Sequence, residues 1–167
     1  LKDAAFGIDE KQTTIAKSMS LSVTESKAMY TQFKGISKSS DNVLATTKNL
    51  IKAQGSLASA MGVTRGFSEQ QLEDQVKMVN NMGIEEATAG RLQALSMASN
   101  QSSSNSLKSI ISTTQALKMQ TGIQLDQKGI IDEVAKTEGQ LAANYANDPK
   151  LIAKAVTQVR KLGLNLS

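Results

Sequence analysis

Apolar residues recur along most of this chain with the 3.6-residue period of an α-helix. The period is clearest in residues 42–61, where apolar pairs return every seven residues. Further stripes run through residues 69–82, 106–121, 127–145 and 149–162, with weaker ones at 9–19, 22–34 and 85–98. Alternating β-branched and aromatic runs, which would indicate strands, are missing. The pattern predicts an all-α protein of seven or eight short amphipathic helices.

Glycine followed by an aliphatic residue marks the predicted helix ends. A helix commonly stops where glycine takes the left-handed conformation and the next apolar residue packs back on the last turn. We therefore expect positive φ angles at Gly122 and Gly163, each of which follows a periodic stripe. Six such pairs serve as predicted stops, beginning at Gly7, Gly35, Gly62, Gly83, Gly122 and Gly163.

Helix starts are predicted by capping residues. Ser68 and Gln71 fit a capping box, Asp126 precedes a periodic run, and Asp148 stands before Pro149, the only proline. The polar stretch 100–106 reads as a loop in which Ser104 or Ser106 caps the next helix. This loop divides the chain into an N-terminal helical segment, residues 1–99, and a C-terminal one, residues 107–167.

The stripes are narrow and consist mainly of Ala, Val, Ile and Leu. With three Phe, two Tyr and no Trp, the chain has few large side chains with which to fill a core. Such helices suit stacked, solenoid-like hairpins or an elongated bundle, and they suit packing on other chains. We expect one of these architectures.

Composition excludes several kinds of site. The 167 residues contain neither Cys nor His, which removes disulfides, cysteine-ligated zinc and catalytic triads with histidine. No apolar run approaches the ~18 residues of a membrane span, so membrane contact is expected only through parts outside this fragment. No signal peptide is visible at the start of the sequence. Because the chain begins with Leu1 rather than Met, we expect a fragment or a processed product.

The net charge of +4 changes this picture little. The excess lies in residues 1–65, where single lysines are dispersed among polar residues. A nucleic-acid surface more often shows clustered cations with aromatic residues. We interpret the lysines as a solvated face and expect no specific nucleic acid.

Three pairs of adjacent carboxylates within residues 69–145 are candidates for acid–base chemistry. Neighbouring residues on a helix point about 100° apart, so such pairs do not converge on one substrate bond. Phosphate-binding loops and calcium loops are absent from the sequence. The sequence therefore predicts no enzyme, no catalytic or metal residue and no cofactor. The pairs are Glu73 with Asp74, Glu85 with Glu86, and Asp132 with Glu133.

Residues 119–167 follow an order of stop glycine, short turn, helix, a Leu-Ala-Ala-Asn-Tyr segment, a second helix and a closing Leu-Gly-Leu. The pieces that carry this order are Met119–Asp126, Ile130–Ala135, Leu141–Tyr145, Leu151–Val156 and Lys161–Leu166. In this order the chain resembles the tail tape measure proteins of long-tailed bacteriophages, and Leu72–Gly90 is similar to other passages of such proteins. Together the pieces hold 50 of the 167 residues, and none is a catalytic signature.

The resemblance implies a helical virion protein in the tail tube lumen or tail tip, present in the host cytoplasm during assembly. It implies several parallel copies that set tail length and leave ahead of the DNA. Implied partners are tail tube proteins, tail-tip or baseplate hub proteins and assembly chaperones. Two other interpretations stay open, a flagellin-like or otherwise secreted helical assembly protein and a helical protein-binding module.

Overall fold

In a computed structural model the chain is all-helical, as the periodicity predicts. The structure describes residues 13, 16–17, 21–63, 66–122, 124–137 and 139–164; of residues 139 and 140 it describes the backbone only. Helices hold 76% of these residues, and none of them lies in a strand. The helices are α1 (Val23–Ser39), α2 (Thr47–Met61), α3 (Glu69–Val76), α4 (Glu86–Ala98), α5 (Ser103–Thr121), α6 (Gln127–Lys136), α7 (Gly139–Asn144) and α8 (Pro149–Lys161).

Helix α3 continues into one π-helical turn, Lys77–Asn81. The turn closes with the Met82 N–H donating to the Lys77 carbonyl at 3.2 Å, and Gly83 follows with φ 66°. No helix within the described ranges is both long enough and apolar enough to cross a membrane.

The chain forms two compact units, Leu1–Met82 and Gly83–Ser167. This differs from the boundary expected at 100–106, which falls inside the second unit. The reason is that α4 packs against α5 and α6 and so belongs with the C-terminal helices. Ser103 and Ser106 are buried within α5, so they do not form part of an exposed linker.

The first unit is built around α2, which packs against both α1 and α3. Its apolar positions meet in one cluster because the stripes of the three helices face each other. The fully or largely buried members are Phe33, Ile36, Leu50, Ala53, Leu57, Phe67, Leu72 and Val76.

The second unit packs α8 against α5 and α6, and α4 against α6. Its buried apolar side chains are smaller, and none is aromatic among the residues described. They are Ile84, Ala89, Leu92, Ile110, Ile130, Ile131, Val134, Ala135, Ala142, Ile152, Ala153 and Val156.

Most predicted helix ends are confirmed. Gly122 and Gly163 have φ angles of 66° and 72°, and Gly62 is left-handed at the end of α2. Asp126 and Asp148 accept backbone N–H groups at the starts of α6 and α8, and Ser68 forms the expected capping box. The stop at Gly7 and most of the helix expected at 9–19 lie outside the described residues.

Four local predictions are wrong. Gly35 lies inside α1, because the helix continues and buries Ile36 beside Phe33 in the core. Ser102, rather than Ser104 or Ser106, caps α5 by accepting the Asn105 N–H.

The helix expected over 127–145 is interrupted at Thr137, whose extended backbone ends α6. The helix expected from residue 42 begins at Thr47, after the Thr46 cap. Val43, the first apolar residue of the stripe predicted over residues 42–61, lies before this start and is 89% exposed.

Candidate functional site

A group of interacting polar and charged residues lies in the second unit, on α4, α6 and α8 and at the cap of α6. We call it the charged cluster. Its members are Thr88, Asp126, Gly129, Asp132, Glu133, Lys136 and Arg160.

Asp132 is held by two donors from different parts of the unit. The Thr88 hydroxyl on α4 donates to its Oδ1 at 2.6 Å, and the Lys136 Nζ one turn along α6 donates to its Oδ2 at 2.6 Å. The bond from Lys136 lowers the pKa of Asp132 most, and the bond from Thr88 lowers it further. This carboxyl is therefore an ionised acceptor at neutral pH rather than a proton donor.

Glu133 points to a different helix from Asp132. Its side chain is only 6% exposed, and its Oε2 accepts from Arg160 Nε on α8 at 2.7 Å. The same guanidinium donates through Nη2 to the Gly129 carbonyl at 3.1 Å. A nearly buried carboxylate is tolerable only because a charged, hydrogen-bonded partner compensates for its lost hydration.

Gly129 makes room for that guanidinium in the first turn of α6. A Cβ at this position would collide with the Asp126 carboxylate and lie 3.0 Å from Arg160 Nη1. Asp126 is also the residue whose side chain caps α6, by accepting the Lys128 N–H at 3.1 Å. A larger residue at 129 would therefore disturb the cap and the ion pair together.

A cleft of about 240 Å³ adjoins the charged cluster. Its charged lining combines carboxylates and lysines, so its field favours neither an anion nor a cation strongly. The lining residues are Ile84, Glu85, Thr88, Asp126, Lys128, Gly129, Asp132 and Lys136.

The first unit has an open polar groove of about 830 Å³ between the end of α1 and the α3 segment. Two of its lining carboxylates have local partners: Glu69 accepts from the Ser39 hydroxyl at 3.3 Å, and Glu73 lies 4.0 Å from Lys77. These are surface contacts of low energy, typical of solvated helix faces.

The remaining carboxylate candidates, Asp74, Glu85 and Glu86, differ in their surroundings. Asp74 is buried and accepts from Gln70 at 2.8 Å, while Glu85 is exposed before the first turn of α4. Within the described ranges, no three Asp, Glu, His or Cys side chains cluster in a way that could hold a metal ion. The arrangement ties helices together through Asp132 and Glu133.

The ion pair between Glu133 and Arg160 is the feature that sequence reasoning missed. The two residues are 27 positions apart, and each alone looks like an ordinary charged residue near a helix end. Comparisons with protein-family models, curated proteins and solved structures found no match to this chain.

Proposed function

We propose that this chain is a structural segment of a bacteriophage tail tape measure protein. The observation that carries the proposal is the order of elements in residues 119–166, whose pieces resemble that family. The left-handed Gly122, the capped α6 and α8, and the left-handed Gly163 support it, because they follow the same order.

In this proposal the segment acts through length and lateral packing rather than through chemistry. It lies in the tail tube or tail tip, beside other copies of itself, and is released ahead of the DNA on infection. Tail tube, tail-tip or baseplate hub proteins and assembly chaperones are its proposed partners. The ties between carboxylates and neighbouring helices support a structural role, since Asp132 and Glu133 both join separate elements.

An in-frame deletion in the full-length protein tests the proposal. Removing residues 23–82 takes out 60 residues of the first unit and leaves the second intact. At a helical rise of ~1.5 Å per residue, tails should shorten by up to about 90 Å where the helices follow the tube. Electron microscopy of the virions measures this, and duplication of the same segment should lengthen the tail.

The control is Glu85→Ala, which keeps the length and removes an exposed carboxylate. It should leave both tail length and infection unchanged. Tails of normal length in the deletion strain would contradict a measuring role. A secreted assembly protein or a helical binding module would also leave tails unaffected, and loss of a wall-cleaving activity in Glu85→Ala would point to an enzyme.

A further inference from the structure

Helix α8 carries a second apolar stripe on the side that faces away from the core of its unit. On the inward side Ile152 and Val156 are fully buried. On the outward side Leu151 is 46% exposed, and Leu162, at the end of the helix, is 76% exposed. Ala155 stands four residues after Leu151 and seven before Leu162, so the three side chains share one face. We call these three residues the outer stripe.

A row of lysines runs beside the outer stripe. Lys150, Lys154 and Lys161 are all exposed, and each directly precedes one member of the stripe, so the two rows lie about 100° apart around the helix. None of the three forms an ion pair with another residue that the structure describes. The fourth cation of α8, Arg160, is engaged with Glu133, and the helix itself contains no carboxylate.

The neighbouring helix α5 is positive as well. It packs against α8, and its only charged residues are Lys108 and Lys118, both exposed. The carboxylate of Asp148, just before α8, is engaged in capping that helix through the Lys150 N–H at 2.9 Å. An anionic surface that approached the outer stripe would therefore meet lysines and no carboxylate on either helix.

Helix α1 of the first unit has the lysines without the leucines. Lys27, Lys34 and Lys38 form an exposed row with the two spacings of the α8 row in reverse order. The residues that directly follow these lysines are an alanine, a glycine and a serine. The comparison separates the two properties, because α1 offers charge alone and α8 offers charge beside an exposed apolar stripe.

We propose that the outward face of α8 binds the surface of an anionic lipid bilayer. Leu151 and Leu162 enter the boundary between headgroups and acyl chains, and the lysine row contacts the headgroup phosphates. A basic row beside an apolar row is typical of helices that lie in the bilayer interface. Lysine suits this position because its long stem can lie along apolar surface while its ammonium group stays at the headgroups. The proposal is independent of any role in a phage tail.

A bilayer suits this face better than a folded protein or a nucleic acid does. A stable protein interface needs about 800 Å² of complementary surface on each partner, and two exposed leucines on one helix are a small area for that purpose. A bilayer requires no complementary shape. Nucleic acid phosphates would attract the lysines but would leave the leucines in water. A helix in the interface also needs no apolar run of spanning length, so the proposal extends the sequence-based expectation of membrane contact outside this fragment alone.

Co-sedimentation of the 167-residue chain with lipid vesicles tests the proposal. A lysine near an anionic surface strengthens binding roughly fivefold, so equal parts of phosphatidylglycerol and phosphatidylcholine should bind the chain at least about tenfold more tightly than phosphatidylcholine alone. Equal binding to the two kinds of vesicle, or no binding to the anionic ones, would overturn the proposal.

Matched lysine pairs locate the binding face. Lys150→Gln with Lys154→Gln should weaken binding to the anionic vesicles about tenfold or more, because both lysines border the outer stripe. Lys27→Gln with Lys34→Gln removes the same charge from α1 and should weaken it by less than about threefold. Equal losses from the two pairs would show that binding follows net charge and not the α8 face.

The leucines are tested without any change of charge. Leu151→Ser with Leu162→Ser alters two exposed positions and should weaken binding to the anionic vesicles about tenfold or more, since the apolar contact is lost. Unchanged binding would contradict insertion of the outer stripe.

A single tryptophan reports where α8 lies, whatever the other variants do. The chain has no Trp, so Leu162→Trp places one fluorophore on the α8 face and Ala28→Trp places one beside the lysine row of α1. With anionic vesicles the emission of Leu162→Trp should shift to shorter wavelength, because its surroundings become apolar, and that of Ala28→Trp should not. Equal shifts at both positions would overturn the proposal. Vesicle binding without a shift in Leu162→Trp, reversed by duplex DNA, would indicate a general polyanion surface instead.

Discussion

The first compact unit is filled by large apolar side chains, whereas the second has smaller aliphatic ones and many buried polar groups. Phe33 and Phe67 belong to the interior of the first unit, together with three leucines. Among the described residues of the second unit, nine polar ones are buried: Thr88, Gln93, Ser96, Ser103, Ser106, Thr114, Glu133, Thr137 and Thr157.

Several of those buried hydroxyls bond within their own helix. Ser96, Thr114 and Thr157 donate to the carbonyl four residues earlier, at 2.7 to 2.9 Å. Such bonds satisfy the hydroxyl and let helices approach closely, but they do not join one helix to another. The difference teaches that burying a polar group does not by itself join two helices. Two links that do so in the second unit are the bond from Thr88 to Asp132 and the ion pair between Arg160 and Glu133.

The two tyrosines allow each unit to be followed separately. The chain has no Trp, and Tyr30 and Tyr145 lie in different units, each half-buried. Tyr30→Phe leaves Tyr145 to report on the second unit, and Tyr145→Phe leaves Tyr30 to report on the first. Urea unfolding in these two backgrounds measures the predictions below.

The largest effect is expected from Phe33→Ala in the first unit. Phe33 is 1% exposed, and deleting its ring leaves a cavity that costs about 3–5 kcal/mol. The midpoint reported by Tyr30 should fall, while that reported by Tyr145 should stay. A parallel fall of both midpoints would show that the units unfold as one.

Glu133→Gln should lower the unfolding midpoint reported by Tyr145 and leave the midpoint reported by Tyr30 unchanged. The substitution leaves the Arg160 guanidinium without its charged partner and should cost the second unit about 2 kcal/mol. Glu85→Gln, an exposed carboxylate in the same unit, should change the midpoint by less than about 0.5 kcal/mol. Equal effects of the two substitutions would mean that the ion pair adds no stability.

Replacing a glycine by alanine should raise the stability of the first unit at one position and lower that of the second unit at another. Gly35 lies mid-helix with open space around a new Cβ, so Gly35→Ala should stabilise the first unit by about 0.5–1 kcal/mol. Gly122 has φ 66°, so Gly122→Ala should destabilise the second by about 1 kcal/mol. Stabilisation by both substitutions would contradict the left-handed end of α5.

These glycines also show how far the sequence could predict the fold. Local sequence signals were enough to predict a helix end where one residue type determines the backbone conformation. Examples are Gly122, Gly163 and the start of α8 at Asp148 and Pro149. They failed at Gly35, because burial of Ile36 decided whether α1 continued. Tertiary packing overrides local propensity in such cases.

The unit boundary and the charged cluster could not be predicted for the same reason. Met82 and Gly83 separate the units, because α4 packs with later helices rather than earlier ones. Glu133 and Arg160 meet only once α6 and α8 are packed together. The left-handed Ala146 likewise has no local signal, since alanine normally favours helix.

The smallest expected effect is a difference in acid sensitivity between the units. Bonds from Lys136 and Thr88 lower the pKa of Asp132 below its ordinary value of 3.8 in the folded second unit. Its stabilisation is therefore complete above that value and is lost as the pH falls through the lower, folded pKa. In the first unit the Ser22 hydroxyl and backbone N–H likewise lower the pKa of Glu25, which is fully exposed.

Asp132→Asn and Glu25→Gln should therefore behave differently. Glutamine retains a side chain that can complete the capping box with Ser22, so Glu25→Gln should leave the first unit almost unchanged. Asparagine cannot keep the charge that Lys136 pairs with, so Asp132→Asn should lower the Tyr145 midpoint at pH 6 and lower it less at pH 3. If Asp132→Asn lowers the midpoint equally at the two pH values, Asp132 stabilises the unit through its packing rather than through its charge.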